Sequence, residues 1–161
     1  MDFITGLPRS IKKNDSIMVV VDKLSKETHF IPVKSTYKYI NIVDISMKEI
    51  LLLHGIPKTV ILDREMKFTG KFWKALFKGL RTQLNFNTTY HTQMDGKIER
   101  TNKIVEDMLR MYVMGRPNKL EEYLHLIEIT YNNNYQASIK LGPFEILYRR
   151  KCNTHVLIPI N

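Results

Sequence analysis

Residues 59–63 read TVILD, an apolar, β-branched run that ends in a carboxylate. This pattern is typical of a short buried strand with an aspartate, Asp63, at its C-terminal end. Thirty-five residues separate Asp63 from Glu99, which lies near the start of a segment with helical periodicity. A carboxylate at a strand end and one on a helix that crosses the sheet can meet at one point. Clustered carboxylate oxygens bind Mg²⁺ or Mn²⁺, so the pair predicts a site for phosphodiester chemistry.

The charge balance of the whole chain points toward a polyanionic partner. The 161 residues carry a formal net charge of +9, which favours nucleic-acid binding, although a solvated basic surface without a partner is the alternative. No apolar run is long enough to predict a membrane span. The single cysteine suits a reducing compartment, cytosol or nucleus, and the spacing of the histidines argues against a structural zinc site.

The order of apolar patterns predicts one mixed α/β domain over residues 1–161. Pro32 predicts an edge position for the third strand, because proline cannot donate to a strand ladder. Asn41 is the predicted N-cap of the first helix. The predicted strands cover residues 1–5, 16–22, 28–33, 58–62 and 83–86, and the predicted helices cover residues 41–55, 72–80, 95–114, 120–131 and 143–148.

Five separated stretches carry motifs of one known family. They are MDFITGLP (1–8), LDR with KFT (62–64 and 67–69), HTQMDGKIERTN (91–102), YNN (131–133) and GPFEILY (142–148). In this order they resemble the integrase catalytic core of gypsy-type LTR retrotransposons, within the retroviral integrase superfamily. The resemblance covers essentially the whole chain, and agreement among several motifs is far more specific than two spaced carboxylates alone.

The resemblance implies a ribonuclease-H-like fold, with a five-stranded mixed sheet flanked by helices. It also implies a catalytic triad of Asp2, Asp63 and Glu99 that holds two Mg²⁺ (or Mn²⁺) ions. Asp22 is a rival for the first position, because it also ends an apolar strand. The family string around Asp2 favours Asp2, and the alternative for Asp22 is a turn residue at the strand end.

The same resemblance assigns DNA contacts around the triad. Lys103 lies four residues after Glu99, where it either contacts phosphate or forms a weak surface ion pair on the helix. Gln93 and His91 lie in the segment that meets the DNA end in this family, and His91 is alternatively a general base or an ordinary polar loop residue. Arg64 and Lys67 flank Asp63 and suit phosphate positioning, with plain solvation as their alternative. The implied DNA-binding residues are Lys103, Asn102, Gln93, His91, Arg64 and Lys67.

The function implied by the resemblance is a metal-dependent polynucleotidyl transferase for DNA integration, with 3′-end processing and strand transfer. The expected partners are retrotransposon LTR-end DNA, target DNA and further copies of the chain, as a homodimer or higher oligomer in the nucleus. Relatives continue upstream of Asp2, so the first strand is expected to be truncated and the zinc-binding and C-terminal DNA-binding domains absent. The alternatives are an inactive nucleic-acid-binding or oligomerisation remnant, and a ribonuclease-H-like nuclease without strand transfer.

Overall fold

The computed structural model of the chain describes residues 1–62, 77–78, 81–86, 103–109 and 119–152. Within these ranges, strands pack between helices in the order that the sequence pattern predicts. The class is α/β, with an antiparallel sheet of three strands and a parallel pair.

The antiparallel sheet consists of β1 (Asp2–Ile4), β2 (Ser16–Val21) and β3 (Thr28–Val33), in that spatial order. Because β2 lies in the middle and both of its faces are covered, its sequence is almost continuously apolar. The edge position predicted from Pro32 is confirmed, since β3 pairs with β2 alone within the part of the chain that the structure describes.

The parallel pair consists of β4 (Thr59–Leu62) and β5 (Gln83–Phe86). The α-amino group of Met1 donates a hydrogen bond to the carbonyl oxygen of Ile61 at 3.0 Å, so the start of β1 lies beside the end of β4. The α/β class and the antiparallel part of the sheet are thereby established. A single five-stranded sheet stays a prediction.

Helices cover both faces of the antiparallel sheet. One face is covered by α1 (Tyr39–Ser46), which continues through a π-helical turn (Met47–Leu51) into α2 (Leu52–His54). The other face is covered by α3 (residues 103–109) and α4 (Leu120–Asn133). A short helix, α5 (Pro143–Tyr148), follows α4.

The apolar core is divided by the sheet, because neighbouring residues of a strand point to opposite faces. Ile17 and Val19 of β2 pack with α3 and α4, whereas Met18 between them packs with α1. The buried residues on the α3/α4 face are Ile4, Ile17, Val19, Phe30, Val105, Leu109, Leu120, Leu124, Ile127 and Tyr131. The buried residues on the α1 face are Met18, Ile31, Val33, Ile42, Val43 and Phe77.

The helix α1 begins three residues earlier than an N-cap at Asn41 predicts. The helix begins at Tyr39, and Asn41 lies inside its first turn and not at the N-cap position. The Oδ1 atom of Asn41 accepts a hydrogen bond from the backbone N–H of Lys38 at 3.1 Å. A side chain that reaches back in this way supplies one half of a capping box, so Asn41 still stabilises the start of the helix.

Two side chains of α4 bind the outer edge of β3. The Oδ1 atom of Asn132 accepts a hydrogen bond from the backbone N–H of Thr28 at 2.9 Å, and its Nδ2 atom donates to the carbonyl oxygen of Thr28 at 2.8 Å. One turn earlier, Glu128 Oε2 accepts a hydrogen bond from the backbone N–H of Phe30 at 2.9 Å. Asn132 belongs to the family motif at residues 131–133, and this contact gives it a structural role.

The motif at residues 142–148 fixes the corner between α4 and α5. Pro143 lies in the first turn of α5, where a missing N–H costs no helical hydrogen bond. A Cβ atom on Gly142 would come within 2.9 Å of the backbone oxygen of Asn133, so a larger residue requires the backbone to shift. The side chain of Asn133 in turn binds the backbone N–H and carbonyl oxygen of Cys152. Together these contacts hold the segment after α5 against the end of α4.

Glu121→Gln is expected to lower the free energy of unfolding by about 1 kcal/mol at neutral pH. Glu121 Oε1 accepts hydrogen bonds from Ser10 Oγ and, at 2.9 Å, from Asn14 Nδ2, and so joins the loop after β1 to α4. Burial raises the pKa of Glu121, but these hydrogen bonds outweigh it and hold the pKa below the ordinary 4.5. A carboxylate with a depressed pKa stabilises the fold above its unfolded-state pKa and loses that effect as the pH falls further.

Urea unfolding of the two chains as a function of pH measures this difference. The gap in stability should be full at neutral pH and should shrink as the pH falls below about 4.5. Glu122→Gln is the matched control, since Glu122 is exposed and its partner among the described residues is Lys119, at 3.1 Å across the helix surface. Equal effects of the two substitutions at neutral pH would contradict the assigned role of Glu121.

Candidate functional site

The structure describes two of the predicted site residues, Asp2 and Lys103. The other predicted site residues lie outside the described residues: Asp63, Glu99, Asn102, Gln93, His91, Arg64 and Lys67. The structure therefore gives the positions of the first residue of the predicted triad and of one predicted DNA contact. It also gives the positions of the strands and helix that adjoin the other predicted residues in the sequence.

Asp2 is the first residue of β1 and is half-buried. Its Oδ1 atom accepts a hydrogen bond from the backbone N–H of Phe3 at 2.8 Å. Asp2 lies on the same face of the strand as Ile4, because side chains two residues apart share a face. Ile4 packs in one cluster with Val105 and Leu109 of α3, so Asp2 belongs to the face that α3 covers.

The start of β1 also lies beside the end of β4. The hydrogen bond from the amino group of Met1 to Ile61 aligns Asp2 with the last residues of that strand. Asp63 follows Leu62, the last residue of β4, directly in the sequence. The end of β4, which directly precedes Asp63, therefore lies near Asp2. The convergence of Asp2, Asp63 and Glu99 stays a prediction.

Asp22, the rival for the first position, lies in the turn between β2 and β3. Its Oδ2 atom accepts hydrogen bonds from the backbone N–H of Leu24 at 3.1 Å, from the backbone N–H of Ser25 at 2.7 Å and from Ser25 Oγ at 2.8 Å. Burial raises the pKa of Asp22, but these hydrogen bonds outweigh burial and lower it below 3.8. This environment matches the alternative interpretation of Asp22 as a residue that shapes the turn.

Lys103 is exposed at the start of α3 as the structure describes it. Val105 and Leu109 on the same helix are buried in the core, so they fix the orientation of the helix against the sheet. Lys103 therefore extends into solvent from a helix that also covers the face to which Asp2 belongs. A lysine in such a position can contact a phosphate without leaving its helix.

A second group of polar side chains was not expected from the spacing of the histidines. Glu27, His29 and His54 each direct one potential ligand atom into a common space, and these atoms all lie within 4.8 Å of one another. Burial lowers the pKa of His29, but hydrogen bonds and charge interactions with Glu128 and Glu27 outweigh it and raise the pKa to about 9. The available sequence signal was the pair Glu27 and His29, because residues two apart in an extended chain share a face.

In the described residues, no helix combines the length and the apolar character needed to cross a bilayer.

The chain is similar in sequence to transposon polyproteins. It is 33% identical over 149 residues to the transposon Tf2-3 polyprotein of Schizosaccharomyces pombe, an alignment that covers 92% of this chain and 11% of the polyprotein. The chain thus spans about a tenth of the length of the curated relatives that it matches. No protein-family model matches the chain.

The fold is similar to that of solved integrase catalytic cores. The catalytic core domain of BIV integrase aligns with a TM-score of 0.68 and 20% identity, covering 92% of this chain and 91% of that one. The HTLV-2 integrase catalytic core domain in complex with magnesium, in its trimeric form, aligns with a TM-score of 0.65 and 18% identity, covering 89% of this chain and 99% of that one. The same HTLV-2 domain is also solved in a dimeric form. The resemblance to integrase catalytic cores predicted from the sequence motifs is confirmed.

Proposed function

Because the chain is homologous to a segment of transposon polyproteins and has the fold of integrase catalytic cores, we propose that it is the catalytic core of a retrotransposon integrase. Resemblance to this family supports an integrase-type polynucleotidyl transferase as the proposed class of enzyme. The proposed reaction is DNA integration, in which the 3′ ends of the element's DNA are processed and then joined to target DNA.

The single observation that supports a catalytic role best is the position of Asp2. This residue lies on the face covered by α3 and next to the end of β4, the two elements nearest in sequence to Glu99 and Asp63. This arrangement supports the proposal that Asp2, Asp63 and Glu99 meet at one site. Asp22, by contrast, directs its carboxylate into a turn.

The donor set of the predicted triad suits a hard divalent ion. Three carboxylates offer oxygen ligands only, the chemistry that Mg²⁺ and Mn²⁺ prefer. We propose that Asp2, Asp63 and Glu99 hold two such ions, and the magnesium complex of the HTLV-2 core supports this choice of metal. Bound there, the ions would lower the pKa of the attacking hydroxyl group and stabilise the leaving 3′-oxygen.

The remaining predicted residues have the role of positioning DNA. Lys103 and Asn102 are proposed to contact phosphates of the element's own DNA end, and His91 and Gln93 to meet that end from the preceding segment. Arg64 and Lys67 flank Asp63 in the sequence and are proposed to position phosphates near it. Contacts of this kind orient DNA on the protein and carry no sequence information themselves.

The proposed partners are LTR-end DNA, target DNA and other copies of the chain. The trimeric and dimeric forms of the HTLV-2 core support an oligomer, because that domain shares the fold of this chain. Integration requires access to chromosomal DNA, so we place the working protein in the nucleus, after a cytoplasmic stage.

The proposed reaction is tested with a labelled duplex that carries the element's LTR end. The chain is incubated with this duplex and target DNA in the presence of Mg²⁺ or Mn²⁺, with a chelator as the negative control. Metal-dependent shortening of the 3′ end and a joined product support an integrase. Nicking without joined products would instead indicate a ribonuclease-H-like nuclease, and DNA binding without nicking an inactive remnant.

Lys103→Ala is expected to weaken binding to duplex DNA of any sequence and to reduce the salt dependence of binding by about one counterion. The reason is that a lysine bound to a phosphate releases counterions from the DNA, and its removal abolishes that release. Binding constants measured by fluorescence anisotropy over a series of salt concentrations give the slope. Lys48→Ala is the matched control, since Lys48 is an exposed lysine in the helical layer on the opposite face of the sheet. Identical slopes for the two variants would contradict a phosphate contact at Lys103.

A further inference from the structure

We propose that Glu27, His29 and His54 bind one transition-metal ion of the Zn²⁺ class, at a site separate from the predicted carboxylate triad. The ion would join the β2–β3 hairpin to the end of α2. The inference does not depend on the proposed integrase activity, because it rests on side chains that the structure describes.

The distances within the group are those of a metal site. The Nε2 atoms of His29 and His54 are 3.0 Å apart, and each lies 3.7 Å from Glu27 Oε2. Zn²⁺ binds imidazole nitrogen and carboxylate oxygen at about 2.0–2.2 Å, and a tetrahedron of that size has ligand atoms about 3.3–3.6 Å apart. The three atoms therefore need to move by only a few tenths of an ångström to share one ion.

Three elements of the fold bring these residues together. Glu27 directly precedes β3 and His29 is the second residue of that strand, so an extended chain directs the two side chains to the same side. His54 ends α2, which follows directly from the π-helical turn at Met47–Leu51. A π-helical turn adds one residue relative to an α-helix and rotates everything that follows by about 100°. Because of this rotation, the π-helical turn places the side chain of His54, and not that of a neighbouring residue, opposite the β2–β3 hairpin.

The surroundings of His29 support metal binding. Its Nδ1 atom lies 3.1 Å from Glu128 Oε1, while the other oxygen of Glu128 accepts the backbone N–H of Phe30 at 2.9 Å. A carboxylate that accepts the Nδ1–H of a histidine fixes the ring and leaves Nε2 for the metal, which is the usual arrangement around zinc-bound histidines. Here that carboxylate is itself held in place by a β-strand.

Burial of Glu27 provides a separate argument. Its side chain is only 5% exposed, and its ion-pair contacts are with the two histidines. A buried carboxylate is costly unless it is paired or binds a metal. Two arrangements would compensate the negative charge of Glu27: a proton shared by the two histidines, or a metal cation between the three side chains. Glu27 Oε2 lies 3.7 Å from the Nε2 atoms of both rings, so a cation placed between the rings would contact all three side chains.

The donor set selects the class of ion. Two imidazoles and one carboxylate suit Zn²⁺ and related transition metals, whereas Mg²⁺ prefers oxygen ligands throughout. The side chain of His54 is 40% exposed, so a fourth position on the ion can be taken by water. The metal preference of this site should therefore differ from that of the predicted triad.

Co²⁺ serves as the probe, because its visible absorption reports tetrahedral coordination. The 161-residue chain carries Asp63→Asn and Glu99→Gln, which remove the predicted carboxylate site from the measurement. We expect one equivalent of Co²⁺ to bind with a tetrahedral spectrum, to be displaced by Zn²⁺ and to resist an excess of Mg²⁺. His54→Ala should weaken binding by more than about 100-fold, and Glu128→Gln by about 10–100-fold.

His125→Ala is the matched control, since His125 is an exposed histidine of α4 outside the group. Circular dichroism checks that each variant is folded, which is expected because His54 is partly exposed. Equal affinities for His54→Ala and His125→Ala would overturn the proposal. Absence of bound Co²⁺ in a folded chain, or displacement by Mg²⁺, would also overturn it and leave a proton-bridged cluster as the explanation of the short contacts.

Discussion

Glu99→Gln is expected to reduce metal-dependent nicking of an LTR-end duplex by at least about 100-fold, to the background of the assay. The substitution keeps the shape of the side chain and removes its negative charge, so a neutral amide replaces one carboxylate in the predicted set of metal ligands. Displacement of a reacting group by about 1 Å can already cost roughly 100-fold in rate, and the loss of a ligand should cost no less. Initial rates of nicking with Mg²⁺, measured at saturating DNA, provide the comparison.

Glu106→Gln is the control for this experiment. It makes the same chemical change seven residues further along the chain, in the described helix α3, and Glu106 is outside the predicted triad. Its nicking rate should match that of the unsubstituted chain within a factor of about two. Comparable rates for Glu99→Gln and Glu106→Gln would show that Glu99 is not a metal ligand in the reaction.

Asn132→Ala is expected to lower the free energy of unfolding by about 3 kcal/mol, because it removes two hydrogen bonds at once. The side chain of Asn132 is fully buried and satisfies both the N–H and the carbonyl oxygen of Thr28, which is also fully buried. Alanine leaves both backbone groups without these partners, and each buried unsatisfied group costs about 1–3 kcal/mol. A domain of this size has a total stability of about 5–15 kcal/mol, so the loss is a large share.

Urea unfolding followed by circular dichroism measures this effect, with Asn134→Ala as the control. Asn134 is the exposed residue just after α4, and its replacement should change stability by less than about 0.5 kcal/mol. Asn132→Asp adds a second comparison, since a carboxylate can accept from the N–H of Thr28 but repels its carbonyl oxygen. A loss below 1 kcal/mol for Asn132→Ala would show that the Thr28 backbone groups are satisfied in another way.

The parts of the fold that follow local patterns could be predicted from the sequence. The apolar run of β2 and the two-residue alternation of its side chains account for both faces of the core, with Ile17 on one side and Met18 on the other. Pro32 predicted the edge strand because its missing N–H is a local property. The family motifs predicted the fold class of an integrase catalytic core, and the similarity to the BIV integrase core over 92% of the chain confirms that class, while the five-stranded sheet stays a prediction.

Features that depend on distant contacts could not be predicted in this way. Asn41 has the right residue type for a helix start, but side-chain chemistry alone does not say whether it acts from the N-cap or from the first turn. The approach of His54 to His29 depends on a π-helical turn, for which the apolar periodicity gives no signal. The contact of Asn132 with Thr28 spans 104 residues, and the motif that contains Asn132 does not indicate Thr28 as its partner. The predicted triad depends on the same kind of convergence.

The outer edge of β3 has a consequence for how the chain behaves before it is fully folded. An open edge strand offers N–H groups on every second residue, and these can recruit a strand from another molecule and start aggregation. Along β3 the N–H of Thr28 is bound by Asn132, that of Phe30 is bound by Glu128, and Pro32 has none. The protection against strand exchange therefore depends on the docking of α4, and whenever this helix detaches, the apolar strand becomes a template for self-association.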